Sequence, residues 1–303
     1  MSVPWFIILA VLAAFFLSLS NIIDKAVLTD FVTDPLVVTF FTSVFGTLFS
    51  LFLIPTGLVK VPSLFVGAIS FLLGVLYILP LYLYMKGLQM EEASRAIPIF
   101  SLVPVFVAIL GAFFLNEVFN LTTYAGIILA VTGSVMVSSK RFGLEFFNIK
   151  ANKAFWTIIG STVLFAVYSV GTKWVLSYDS FWNIFFWSRI GTMLPTLLVL
   201  AYRPVRLQII GYLQSIKESK LEFLGVSEFW NNLAVLTQTA ALSLGPAALV
   251  ETAYSTQSIF VLLLVLALGK FSNKNLGDDL SRKALAIKFI SSIMIITGIY
   301  LIS

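Results

Sequence analysis

Arg189 lies nine residues after Ser180 in a run, Ser180 to Tyr202, that is otherwise mostly apolar. At about 1.5 Å per helical residue, that places it roughly 13 Å along a helix. If the run crosses a bilayer with a hydrocarbon core about 30 Å thick, the guanidinium sits near the midplane and needs an acceptor. The next apolar run, Phe223 to Leu244, carries Glu228 and then Trp230, Asn231 and Asn232. Two chemistries fit these residues. Arg189 and Glu228 could form a buried structural ion pair. Alternatively, Arg189 could hold an anionic group in a pocket where Trp230 and the two amides orient it. Tyr168 and Gln257 are the deeper candidates for lining such a pocket. Tyr77, Tyr82, Tyr84 and Tyr254 suit either a cavity wall or an interfacial anchor.

Glu251 could carry a proton for coupling, or serve as a hydrogen-bonded residue near a helix start. Arg95, at the matched place in the first half, lies one turn from Glu91 and Glu92 and suits one mouth of a pathway. Glu228 shares the coupling role as a candidate. Lys25 and Lys173 end their helices, where long side chains reach the headgroups. The chain has no cysteine and no histidine. Disulfides, thiolate metal ligands and imidazole proton shuttles are therefore excluded, and no cofactor or metal is expected. Glu91-Glu92 and Asp278-Asp279 come with no catalytic motif, which leaves an enzyme without visible machinery.

The elements that must position these groups are membrane helices. Of the 303 residues, 59% are hydrophobic and only 11% charged, more apolar than one soluble core requires. The net charge of +5 is scattered among membrane-length runs, with no basic stripe for nucleic acid. Lipid is the expected solvent and a small molecule the expected partner, with the chain taken as monomeric.

Met1 to Leu28 reads as a first membrane helix, because it has no basic start and no small-residue cleavage site. Ten spans follow from the hydropathy pattern. The first five run Val3 to Leu28, Pro35 to Ile54, Leu64 to Leu88, Ala93 to Leu115 and Thr122 to Ser139. The others run Ala154 to Leu176, Ser180 to Tyr202, Phe223 to Leu244, Ala247 to Leu268 and Leu285 to Ile302. Arg203 to Glu222 reads as interfacial. Pro98 and Pro104 should bend the fourth helix, and Ala108-xxx-Ala112 and Gly126-xxx-Ala130 suit close helix contacts.

Four short matches recur in order along the two halves, residues 1–145 and 146–303. Lys25-Ala-Val27-Leu28 pairs with Lys173-Trp-Val175-Leu176, and Ser43, Gly46 and Thr47 pair with Ser188, Gly191 and Thr192. Leu88 pairs with Leu244, and Thr132-Gly133 with Thr297-Gly298. Five crossings per half is an odd number, so the second half must enter from the opposite side. The expected fold is an all-α polytopic membrane protein of ten transmembrane helices arranged as two inverted five-helix repeats.

The first half carries Lys86-Gly87-Leu88, Glu92-Ala-Ser94-Arg-Ala96, Leu102-Val-Pro104-Val105, Leu115-Asn-Glu117, Gly126 and Gly133. This set resembles the repeat unit of the EamA-type transporters of the drug/metabolite transporter superfamily. The second half, Leu244 to Ile302, resembles it less closely, with Ser258-Ile-Phe260-Val261 where the first has Pro104. The resemblance implies secondary transport of small polar or amphipathic metabolites, as an exporter or exchanger, in the inner membrane. A flippase for lipid-linked substrates lies close to that expectation, and a polytopic enzyme is the rival class.

Orientation follows from loop charge. On the reading of ten spans, the side holding the termini has Lys60 and Lys173. The other has Lys140, Arg141, Lys150, Lys153, Arg203, Arg206, Lys217, Lys220, Lys270, Lys274, Arg282 and Lys283. Basic loops stay cytoplasmic, so both termini are expected outside, whereas the resemblance implies termini inside.

Overall fold

The computed structural model describes residues 3–28, 34–90, 93–138, 153–215, 218–269 and 281–303, and every regular element among them is helical. Helix is what apolar sequence adopts in lipid, where each backbone N–H and C=O must find its partner within the segment. The first elements are α1 (Trp5–Leu28), α2 (Pro35–Leu51), α3 (Leu64–Met90), α4 (Ala93–Phe100), α5 (Val103–Phe114) and α6 (Leu121–Ser138). Then come α7 (Lys153–Val175), α8 (Phe181–Gly191), α9 (Met193–Ala201) and α10 (Arg203–Ser215). The chain ends with α11 (Glu218–Leu244), α12 (Ala247–Tyr254), α13 (Gln257–Gly269) and α14 (Arg282–Ile302). Local chemistry sets several starts. Asp34 accepts from the Leu36 N–H at 2.8 Å ahead of Pro35, while Ser180 and Ser281 cap α8 and α14.

Among the described residues, nine helical stretches are long and apolar enough to cross a membrane: 5–23, 35–56, 64–90, 97–114, 121–138, 153–175, 181–201, 247–267 and 284–302. The chain is a multi-pass membrane protein. The tenth expected span, within α11, is not among the nine. At 27 residues α11 is as long as α3, but it carries Glu222, Glu228, Asn231, Asn232 and Gln238, and those polar groups lower its hydropathy. The expected interfacial segment is mostly α10, although its last residues already belong to α11.

Three apolar stretches contain a break. Ser101 and Leu102 separate α4 from α5, Thr192 separates α8 from α9, and Ser255 and Thr256 separate α12 from α13. Pro104 and Pro195 account for the first two, since each removes an N–H from the helical ladder. The third has no proline. There Ser255 Oγ donates to Thr252 O at 2.6 Å and Thr256 Oγ1 to Ala253 O at 2.8 Å, so hydroxyls satisfy carbonyls at the break. Both halves thus break after an eight-residue helix that starts at an alanine.

Packing is closest where glycines meet. A Cβ on Gly74 of α3 would lie 1.9 Å from the Ser188 carbonyl oxygen, and one on Gly191 of α8 2.1 Å from that of Phe71. On α6, the Gly126-xxx-Ala130 pair expected at a close contact lies against Gly298 of α14. Elsewhere α1 packs on α11 and on α12 and α13, and α7 packs on α3 and on α4 and α5. Large apolar side chains such as Trp5, Phe113, Leu121, Phe289 and Tyr300 stay exposed on the outside, as a lipid-facing surface requires.

Candidate functional site

Arg189 is at the last turn of α8, just before the Thr192 break. It is 1% exposed. Its backbone carbonyl accepts from Thr192 Oγ1 at 2.6 Å and from Thr47 Oγ1 of α2 at 3.1 Å, tying the end of the half-helix to its neighbour. The guanidinium lies over the Tyr77 ring at 4.6 Å and the Phe185 ring at 5.4 Å. The Tyr77 and Tyr168 hydroxyls are within its electrostatic reach. Its Nε and Nη1 are buried and have no hydrogen-bond partner.

Glu228 does not supply the missing acceptor. Its Oε1 accepts from Thr42 Oγ1 at 2.6 Å and its Oε2 from Asn231 Nδ2 at 3.0 Å. The structural ion pair open on sequence grounds is therefore replaced by neutral donors from α2 and from the carboxylate's own helix. Asn232 gives Nδ2 to the Glu228 backbone carbonyl at 2.8 Å. Its Oδ1 is buried without a partner, close to Gly46. A Cβ at Gly46 would lie 3.1 Å from that oxygen, 3.3 Å from Arg189 Cδ and 3.6 Å from Arg189 Nη1. Glycine at this position leaves the room that both polar groups occupy.

Glu251 is buried on α12, where its Oε1 accepts from Ser169 Oγ at 2.6 Å and from Gln238 Nε2 at 2.9 Å. Ser169 follows Tyr168 on α7, and the Tyr168 ring lies 5.2 Å from that of Tyr77. A continuous line of polar-headed groups therefore leads from Arg189 through Tyr77 and Tyr168 to Glu251. Tyr254 lies within electrostatic reach of Tyr77, Tyr168 and Glu251.

Not every expected residue joins this centre. Trp230 is half-buried and its ring lies 5.5 Å from that of Phe16 on α1. Gln257 starts α13, is half-buried, and accepts from Ser18 Oγ at its backbone carbonyl at 3.2 Å. The side chains of Arg95 and Lys25 lie outside the described residues, as do Glu91, Glu92, Asp278 and Asp279. Lys173 does not serve as a free anchor. It is half-buried and its Nζ donates to Leu242 O at 2.7 Å.

Sequence reasoning passed over Thr42, Ser169 and Gln238 as ligands of the two carboxylates. A signal existed for the first. Thr39, Thr42, Ser43, Gly46 and Ser50 recur at helical spacing in an otherwise apolar run, and all five are buried.

A solved crystal structure whose description names no activity matches with a TM-score of 0.70, covering 100% of this chain and 98% of its own at 17% identity. At that identity the likeness is one of fold. No curated protein matches the chain. Residues 4–139 match the EamA-like transporter family, the stretch holding Lys86-Gly87-Leu88, Leu102-Val-Pro104-Val105 and Leu115-Asn-Glu117. The resemblance read in those motifs is borne out by this match to the EamA-like transporter family over residues 4–139.

Proposed function

We propose that this chain is a secondary transporter, an exporter or exchanger of small polar or amphipathic metabolites, working by alternating access in the inner membrane. The observation that carries the reading is a buried polar centre assembled from both halves. Thr42, Gly46 and Tyr77 come from α2 and α3, while Tyr168, Arg189, Glu228, Asn232 and Glu251 come from α7, α8, α11 and α12. A purely structural bundle has little use for a buried guanidinium with Nε and Nη1 left without acceptors.

In the same proposal α11 is the tenth span, its polar residues facing the centre, and residues 1–145 and 146–303 form two inverted repeats. Reciprocal contacts support this. The matched pair Gly133 and Gly298 sets the offset between α6 and α14, and the same offset matches Gly126 with Ser291. Gly126 lies against Gly298, and Gly133 lies against Ser291. A two-fold relation requires this reciprocity: if one residue meets the partner of a second, the second meets the partner of the first. The packing of α1 on α11 has its counterpart in α7 on α3.

The test is flux. The purified chain in proteoliposomes should move a labelled solute down its gradient, and Arg189→Ala should abolish that movement while the protein still inserts. Absence of flux across a broad metabolite panel would refute the transporter reading.

A further inference from the structure

Within this centre the groups differ in how completely they are satisfied, and the difference identifies what is missing. Glu228 has a donor on each oxygen, and Glu251 has two on Oε1. Arg189, 1% exposed, has Nε and Nη1 with no acceptor. A buried cation with undonated N–H groups is strongly disfavoured unless an anion completes it. Arg189 therefore calls for an anionic acceptor, while Glu228 is fully provided for and Glu251 is provided for on Oε1.

Shape narrows the class further. Tyr77 and Phe185 lie against the guanidinium at 4.6 and 5.4 Å and the Tyr77 and Tyr168 hydroxyls interact with it, so Nε and Nη1 are what remain for a ligand. A carboxylate oxygen can accept a charge-assisted hydrogen bond from either of these nitrogens, which point to different edges. A phosphate ester, with close to two charges, would face one guanidinium with Glu228 and Glu251 in the same centre, so repulsion disfavours it. An ammonium group would find both Glu228 oxygens and Glu251 Oε1 already taken, with Glu251 Oε2 alone lacking a donor among the described residues. Beyond the guanidinium the neighbouring side chains are aromatic. Tyr77 meets Phe165 at 5.9 Å and Tyr168 at 5.2 Å, and Phe165 meets Phe100 at 5.0 Å, each nearly edge to face.

We infer that the site takes small organic monocarboxylates with a planar apolar body, the carboxylate on Arg189 and the body among Tyr77, Phe165 and Tyr168. This rests on the transporter reading for its role but on the geometry of Arg189 for its chemistry. Arg189→Gln then removes an unsatisfied charge, so ligand-free stability should hold or rise. A structural role for the guanidinium would make it fall.

The experiment follows thermal unfolding of the full chain in detergent with phenylacetate, phenylacetamide, phenethylamine and phenyl phosphate. Phenylacetate should raise Tm saturably and the other three should not. Arg189→Gln should abolish the response without lowering the ligand-free Tm, and Arg189→Lys, lacking the fork, should weaken apparent affinity about tenfold or more. An equal response to the amide, no response to phenylacetate, a response surviving in Arg189→Gln, or a ligand-free Tm that drops in that variant would each overturn the inference. Flux separates it from the proposed function. Phenylacetate that binds and is not moved by proteoliposomes sinks the transporter reading alone. Solute flux indifferent to carboxylates sinks the substrate class alone.

Discussion

Glu117 accepts a hydrogen bond from the backbone N–H of Ala247 at 2.9 Å, across 130 residues of chain. Its other oxygen lies 3.5 Å from the Ala248 nitrogen. The pair holds the first turn of α12, whose own N-cap position is Pro246 and offers no side-chain acceptor. On the other side of the same corner, Lys173 donates to Leu242 O near the end of α11. An acidic group at a helix start and a basic group at a helix end both complement the peptide dipoles. The Asn116-Glu117 motif after α5 thus fixes the corner that leads into Glu251 on α12.

Glu117→Ala should therefore lower stability by about 1–2 kcal/mol, the usual cost of losing an N-terminal cap. Thermal unfolding in detergent measures it. A Tm equal to that of the parent chain would show that the corner does not depend on the carboxylate.

Two glycine substitutions should differ in sign. Gly74→Ala puts a methyl group into the Ser188 carbonyl and should destabilise by about 1–3 kcal/mol, the range for overpacking. Gly160 of α7 has nothing within 4 Å of an added Cβ. There alanine should stabilise by up to about 1 kcal/mol through helix propensity. If both variants shifted the same way in one unfolding series, the tight α3–α8 crossing would be in error.

Glu228 and Glu251 are the buried carboxylates of the centre. If either carries protons, transport should depend on a pH gradient and lose that dependence in Glu228→Gln or Glu251→Gln. Flux in vesicles with and without an imposed gradient reads this out. Gradient dependence that persists in both single variants and in the double variant excludes these two groups.

Orientation is tested by labelling, since the chain has no native cysteine. The basic loops should be cytoplasmic. Ser2→Cys and Ser303→Cys should react with an impermeant maleimide in intact cells, and Ser219→Cys should not. The reverse pattern would put both termini inside. Of the charges behind this expectation, Lys140, Arg141, Lys150, Lys217, Lys270 and Lys274 and the side chains of Lys220, Arg282 and Lys283 lie outside the described residues.

Hydropathy is a sum over consecutive residues, so the sequence by itself determined the membrane environment, the all-helical class and the nine candidate spans found among the described residues. It also determined that Arg189 needs a partner, because a charge deep in an apolar run is costly whatever packs around it. What it left open was which partner. Glu228 was the acid in the neighbouring apolar run, yet Thr42 and Asn231 take its oxygens and leave Arg189 over Tyr77. Serine and threonine in apolar helices can always bond a carbonyl of their own preceding turn, as Ser43 does with Thr39. Their sequence therefore does not say whether they reach instead for another helix, as Thr42 and Ser169 do. The break at Ser255 and the capture of Lys173 by Leu242 are of the same kind. Each depends on a carbonyl left free by one element and a donor brought to it by folding, and only the tertiary structure decides which donor arrives.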